Sequence, residues 1–375
     1  VGENRWNTFL NSITFGLFFK NIQTVTISAT DHDSGVEKTE YFVSETIYQS
    51  TEALEEAADG RWVSYEKAFN ITLKSKNIIY AKVTDNVGNV GYVSSDGIVL
   101  YTDATQDTQS ISFTKTSTAD VTASVNLNGN TISGIYCDEE ALTYGEYYTV
   151  NSNTITFKAS WLDTLSAEDH TLTIHYNPMG EEFVNGGGNV APATTTISLS
   201  VQKATGSVEI TNDISKVYDG QPVSAVTYQA SSTGKVTVEY KVRGTYTPTK
   251  PSAVGEYTVR VTVAADNDYN EASATADFEI TYLTTPSDPF QLSGTEGTGG
   301  WYTSNVTITP PEGYTISNTL NGEYSNALTV SASAENVTIY LKNEQRQMTN
   351  AVLVGEIKID KDDPTITATG NTTDY

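Results

Sequence analysis

The sequence predicts an all-β chain made of tandem immunoglobulin-like β-sandwich domains in an extended array. Three observations carry that prediction. Thr, Ser, Val, Ile and Tyr dominate, and β-branched and aromatic residues suit a pleated, half-buried surface. Apolar and polar residues alternate along many short runs, as in antiparallel sheets with one wetted face. Turn residues interrupt these runs often enough for about seven short strands in each of four units.

The elements follow in chain order. In 24–30, Val25, Ile27 and Ala29 oppose Thr24, Thr26 and Ser28. In 79–84, Ile79, Ala81 and Val83 oppose Tyr80, Lys82 and Thr84. Runs 235–242, 257–263 and 336–342 alternate in the same way. Only 50–58 and a turn or so at 159–165 read as helix. Polar breaks at 102–109, 202–207, 284–289 and 360–365 divide the chain into domains 1–103, 104–203, 204–282 and 283–365. Residues 366–375 read as the start of a further segment or a tail, and the opening as an internal cut from a longer protein. The first and fourth domains share a strand, a turn-rich hairpin and a closing strand that ends in Asp, each after an earlier tryptophan (Trp62, Trp301). Short polar joints limit bending, so four units end to end should span on the order of 130 Å.

Charge narrows the partners. The net charge is −25, distributed over the four segments (the last taken to 375) as −6, −8, −4 and −7. So acidic a chain repels phosphate backbones and anionic membranes, which argues against nucleic acid and membrane partners. Cys137 is the only cysteine, which excludes an internal disulfide framework and a multi-cysteine zinc site. No membrane span is legible, and a monomer is expected.

Two turns, ATDHDSGV (29–36) and VTDNVGN (83–89), follow alternating runs. If 24–30 and 79–84 are strands B and F of a sandwich, Asp31, Asp33, Asp85 and Asn89 gather at one pole. Their oxygens are the hard ligands that calcium takes. Turn capping by Asp and Asn, with Gly35 and Gly88 in positive φ, accounts for the same residues and is the preferred reading. No cofactor is therefore assigned, and calcium stays the weaker alternative.

Catalysis has little support. His32 sits in the acidic turn, His170 in a loop, and His175 on the polar face of TLTIHY. GIYCDEE offers Cys137 no electropositive setting, so a small buried thiol is expected. No GxSxG, phosphate loop or HExxH occurs. The chain reads as a non-enzyme. Its 23 Tyr and 4 Trp could stack on sugar rings, but Trp161, Trp62 and Trp301 read as core residues.

The residues also resemble known families. TDHDSGVEKTEYFVS, RWVSYEKAFNITL and GWYTSNVTITPPEGYTIS resemble Ig-like repeats of large Gram-positive surface proteins. The stretch from ADVTASVNLNGN to TLTIHY resembles the X2 module of secreted cellulases and scaffold proteins. KVYDGQPV, VGEYTVRVTV and ATADFEIT resemble the YDG-type MBG domain. These resemblances imply an extracellular segment of a bacterial surface or wall-attached protein. Two roles are carried forward: a non-catalytic stalk or spacer presenting a distal domain, and a carbohydrate-binding or adhesive module recognising extracellular glycans or protein.

Overall fold

A computed structural model describes residues 13–370. Residues 1–12 and 371–375 lie outside the described residues, and with them the expected internal cut and the end of the tail expected at 366–375. The fold is the one expected: 47% strand and 4% helix, arranged as Ig-like sandwiches with no barrel. It forms two compact units, 1–204 and 205–375.

Unit one opens with β1 (Phe15–Phe19), β2 (Gln23–Val25), β3 (Val36–Ser44), α1 (Thr51–Ala58), β4 (Val63–Ser64), β5 (Phe69–Ile71), β6 (Ser75–Asp85), β7 (Val90–Ser94) and β8 (Gly97–Leu100). One sheet runs β1-β8-β6-β3-β4 with β7 also on β6, and β2 pairs β5. The predicted helix forms because Ser50 Oγ accepts from the Ala53 N–H and because Leu54 and Ala58 face the core. The strand expected over 24–30 is cut short. Among the described residues only Gln23–Val25 finds a partner, since β5 offers three residues, and Thr26–Thr30 run on outside any described strand pair with alternating exposure.

The chain continues with β9 (Thr105–Gln106), β10 (Ser110–Thr114), β11 (Val121–Asn126), β12 (Thr131–Cys137), β13 (Glu140–Ala141), β14 (Tyr148–Asn151), β15 (Thr154–Phe157), α2 (Ala159–Leu162), β16 (Asp169–Asn177) and β17 (Thr195–Gln202). Sheets β10-β17-β16-β12-β13 and β14-β15-β11-β9 enclose Phe113, Ile135, Phe157, Leu162, Leu172 and Leu199. The Asp120 carboxylate accepts the Ala159 N–H at the start of α2. At the other end, the buried Lys115 ammonium donates to the carbonyls of Asp163 and Leu165. A buried cation is tolerated there because carbonyl dipoles replace its water. His170, expected in a loop, instead lies buried in β16. Its position alternates inward with Leu172, Ile174 and Tyr176.

The polar break at 102–109 is fastened. Phe183, in the segment between β16 and β17, packs edge-on against Phe18 with ring centroids 5.2 Å apart. Asn189 Oδ1 accepts the Phe18 N–H at 2.9 Å while its amide donates to the Gly16 carbonyl at 2.7 Å. Asp103 accepts from Lys20 Nζ at 2.7 Å and from the Ala193 N–H at 2.9 Å. The two sandwiches of unit one are thereby joined by packing as well as by chain.

Unit two repeats this construction. A sheet orders Lys216–Val217, Ala272–Thr281, Gly255–Val263, Val236–Val242 and Thr245–Thr247, over Tyr240, Val259, Phe278 and Ile280. A further pair of sheets encloses Val306, Ile308, Ile316, Ile339 and Leu341. The hairpin NEQRQMTN lends Met348 to the first of these cores, with Met348 N–H donating to the Tyr218 carbonyl at 2.8 Å.

Replacing Phe183 with Ala should destabilise unit one by about 1–2 kcal/mol, less than a fully buried ring because the side chain is half-buried. Urea unfolding would read this as a lowered midpoint. Amide exchange at Phe18 should accelerate with it.

Candidate functional site

The two acidic turns do meet. Asp31 Oδ1 accepts the N–H groups of Asp33, Ser34 and Gly35 at 3.2, 2.7 and 2.7 Å. Asp85 Oδ1 accepts those of Val87 and Asn89 at 3.0 and 2.7 Å, and Asn89 Nδ2 donates to Oδ2 at 2.8 Å. Asn86 bridges the turns, its amide donating to the Ser34 carbonyl at 2.7 Å. The Gly35 and Ser34 amides hold the Asp31 carboxyl below the usual range. At Asp85, desolvation is outweighed by the combined bonds from Asn89 and Val87, and its carboxyl also falls. The backbone N–H bonds to Asp31 and Asp85 are the geometry of capped turns, and the Asn86 bond links the two.

A second cluster was missed by the sequence reading. Cys137, Asp138 and His170 offer ligand atoms within 4.8 Å of one another. His170 Nδ1 lies 2.6 Å from Asp138 Oδ2, and Nε2 lies 3.0 Å from the Ser166 carbonyl. Both neighbours are acceptors, so the doubly protonated ring satisfies both. Burial pushes the imidazole pKa down, but the Ser166 and Asp138 bonds outweigh it and raise the value above 6.5. The Thr171 amide and His170 lower Asp138. Burial pushes the Cys137 thiol up to about 11. A protonated thiol beside an imidazole with no free lone pair makes a poor metal site or nucleophile. The cluster instead ties the turn after β12 to the loop before β16.

The aromatic residues divide into two groups. Trp161 is buried against Phe157 and Tyr147. Trp62 packs half-buried on Phe42 and donates to Glu55 of α1. Trp301 departs from the expected core role: it is 43% exposed. No helix covers it, since no helix occurs among the described residues of unit two. Tyr144 is more exposed still and meets the buried Tyr148 edge-on.

One further aromatic pair lies on a sheet. On the outer face of β12 and β16, Tyr136 and His175 stand diagonally, with ring centroids 4.8 Å apart and planes at 55°. Gly134 pairs across from His175, and a Cβ there would meet Tyr136 Cε2 at 3.3 Å. The tyrosine ring therefore lies over the glycine. Gly134 and Tyr136 share this face by strand alternation, and the register shift between Ile132 and Gly134 leaves Ile132 opposite the inward Tyr176 instead.

Two concavities complete the surface. A cleft of about 670 Å³ in unit two is lined by charges of both signs, among them Lys241, Arg243, Glu256 and Asp277. A groove of about 480 Å³ in unit one lies beside the unpaired Thr26–Ser28 and contains the buried Ser94, whose Oγ has no hydrogen-bond partner.

Calcium should leave the unfolding temperature of unit one unchanged, because Oδ1 of both Asp31 and Asp85 is committed to turn amides. A saturable rise abolished by Asp85→Ala would identify a cation site instead.

The His170 network makes a separate expectation about pH. Its folded-state pKa is raised, so its stabilisation is complete below 6.5 and is lost as pH rises through the folded value. That of Asp138, whose pKa is lowered, is present above 3.8 and lost in acid. Calorimetry from pH about 6 to about 9 should show the melting temperature of unit one falling by a few degrees, and His170→Gln should flatten that dependence.

Similarity to known proteins is confined to part of the chain. Residues 106–183 match the family described as carbohydrate binding domain X2. No curated protein matches. Among solved structures, a tri-modular endo-β-1,4-glucanase from Bacillus licheniformis with cellotetraose is 18% identical over 48% of this chain and 39% of its own, at TM-score 0.22. An I-band fragment of titin is 11% identical over 72% of this chain and 96% of its own, at TM-score 0.33. An eight-Ig fragment of Down syndrome cell adhesion molecule is 12% identical over 91% of this chain and 45% of its own, at TM-score 0.25. The chain spans about two fifths of the length of the endoglucanase. Within the chain, then, residues 106–183 are the stretch similar to a carbohydrate-binding domain.

Proposed function

We propose that this chain is a non-catalytic, glycan-binding segment of an extracellular protein, with the binding carried by the domain at 104–203. The single observation behind this reading is the match of residues 106–183 to a carbohydrate-binding domain. It reverses the order of the two roles carried forward from the sequence. The inert spacer gives way to the binding module, and the other sandwiches serve to position it. The MBG-like stretch at 204–282 and the Ig-like repeats at 1–103 and 283–365 belong to that positioning role. Neighbouring domains of one long surface protein remain its partners, and no nucleic acid or membrane partner is assigned.

Two features agree with a binding module that does no chemistry. The Cys137 thiol is held protonated, and the buried His170 is consumed by two structural bonds. The fold exposes broad sheet faces, on which an extended polymer can lie. Sedimentation with insoluble cellulose, chitin and bacterial wall sacculi tests the reading. The intact chain should be retained by at least one polysaccharide, with no reducing sugar released. A folded chain that none of them retains would overturn it.

A further inference from the structure

The geometry points to the outer face of β10-β17-β16-β12-β13 as the binding surface, with Tyr136 as the stacking residue, His175 as its flank, and a neutral polysaccharide chain as ligand. This deepens the reading above and rests on it.

The argument starts with charge. On a chain of net charge −25, strands β10, β12, β16 and β17 contain no lysine or arginine. The only acidic residue within those four strands is Asp169, at the first position of β16. Every inward position of β16 and β17 is buried, so their other positions form the opposite face. That face carries Thr171 and Thr173 beside Ser198 and Thr196, paired across the two strands. Hydroxyls both donate and accept, as sugar hydroxyls do, and carry no charge for an ionic ligand to pair with. A polyanion would meet no cation here. A polycation would meet only the carboxylates of Asp169, at the first position of β16, and Glu140, in the edge strand β13. A neutral glycan is the polymer this surface fits.

Stacking supplies the second component. Tyr136 pairs with Thr173, so the ring borders the hydroxyl rows. Because Gly134 lacks a side chain, the ring lies down over the strand, with Cε2, Cζ and Oη all within 4 Å of where a Cβ would stand. A ring that covers backbone with one face can offer the other to the C–H face of a pyranose. His175 stands diagonally at 4.8 Å and is exposed. A single ring bordered by hydroxyl rows suits one polymer chain lying along the sheet. The exposed aromatics lack this setting: Trp301 follows two positive-φ glycines at the start of a two-residue strand, Tyr144 meets Tyr148 edge-on, and Tyr228 opens a three-residue strand of a two-stranded sheet.

Affinity electrophoresis in gels containing a soluble neutral β-glucan, with polygalacturonate gels as the ionic comparison, tests this on the intact chain. The wild type should be retarded by the neutral polymer only. Tyr136→Ala and His175→Ala should each weaken retardation about tenfold, in the range of a lost aromatic contact. Because Tyr136 is half-buried, Thr196→Glu provides a second arm: it adds charge to an exposed position, keeps the fold, and should weaken binding to the same extent. Retardation within twofold of wild type for Thr196→Glu and for folded Tyr136→Ala would overturn this face while leaving the glycan-binding reading intact. Loss of binding in Trp301→Ala alone would overturn it as well. Retention by polygalacturonate in place of the neutral polymer would refute the charge argument. No retardation by either polymer, together with no retention by the insoluble polysaccharides above, would remove the reading itself and this face with it.

Discussion

The organisation of unit one depends on how the chain leaves one sandwich and enters the next. A joint of a few polar residues would ordinarily act as a hinge, because such segments bury little and hold few bonds. Here the segment between β16 and β17 doubles back, and its Phe183 covers Phe18. With that ring in place, Asn189 reads both sides of the β1 backbone, and the Tyr101 hydroxyl donates to the Val190 carbonyl at 2.6 Å. Lys76 reaches Glu181 at 2.8 Å across the same boundary, a half-exposed pair that adds little by itself. The aromatic contact excludes water, and the hydrogen bonds around it gain from that exclusion. Unit two uses Met348 in a comparable role, a flexible side chain filling the gap beside Tyr218.

Much of this fold was legible in the sequence because strand alternation is a local signal. Gly255–Val263 and Ala334–Asn343 contain the runs read from period-two patterning, Val236–Val242 covers all but the first residue of its run, and His175 stands on the polar side as read. The helix at Thr51–Ala58 was legible from its cap and its apolar spacing. What failed was whatever depended on a partner distant in sequence. Thr26–Thr30 have the pattern of a strand but no neighbour to pair with among the described residues. Trp62 and Trp301 occupy similar places in two related segments, yet only Trp62 has a helix to bond and pack against. His170 looked like a loop residue because the strand begins one residue before it, where the Thr171 N–H donates to Asp138 at 2.8 Å.

The candidate site illustrates the same boundary between local and non-local information. The sequence directed attention to loops, where Asp and Asn are dense, since loops carry function more often than sheets. In those loops Asp31 and Asp85 each accept neighbouring backbone amides through Oδ1. The aromatic pair on the sheet was invisible for two reasons. Nothing in the sequence marks Tyr136 among 23 tyrosines, and its setting depends on a strand partner distant in sequence and on the bare backbone of Gly134.

A sheet face of this kind can serve recognition only because the opposite face holds the sheet rigid. Ile135 and Cys137 in β12, and Leu172 and Ile174 in β16, are buried directly behind the outward residues. Each outward side chain is thus fixed by its neighbours' packing, and a ligand that lies on the face has little backbone to order. The Asp138–His170–Ser166 network lies at one end of these same strands, joining the turn after β12 to β16. Its bonds hold the two strands together near Tyr136, two residues before Asp138. Packing, buried charge and outward hydroxyls therefore act on one pair of strands, and the proposed polymer-binding face draws on the rigidity of that pair.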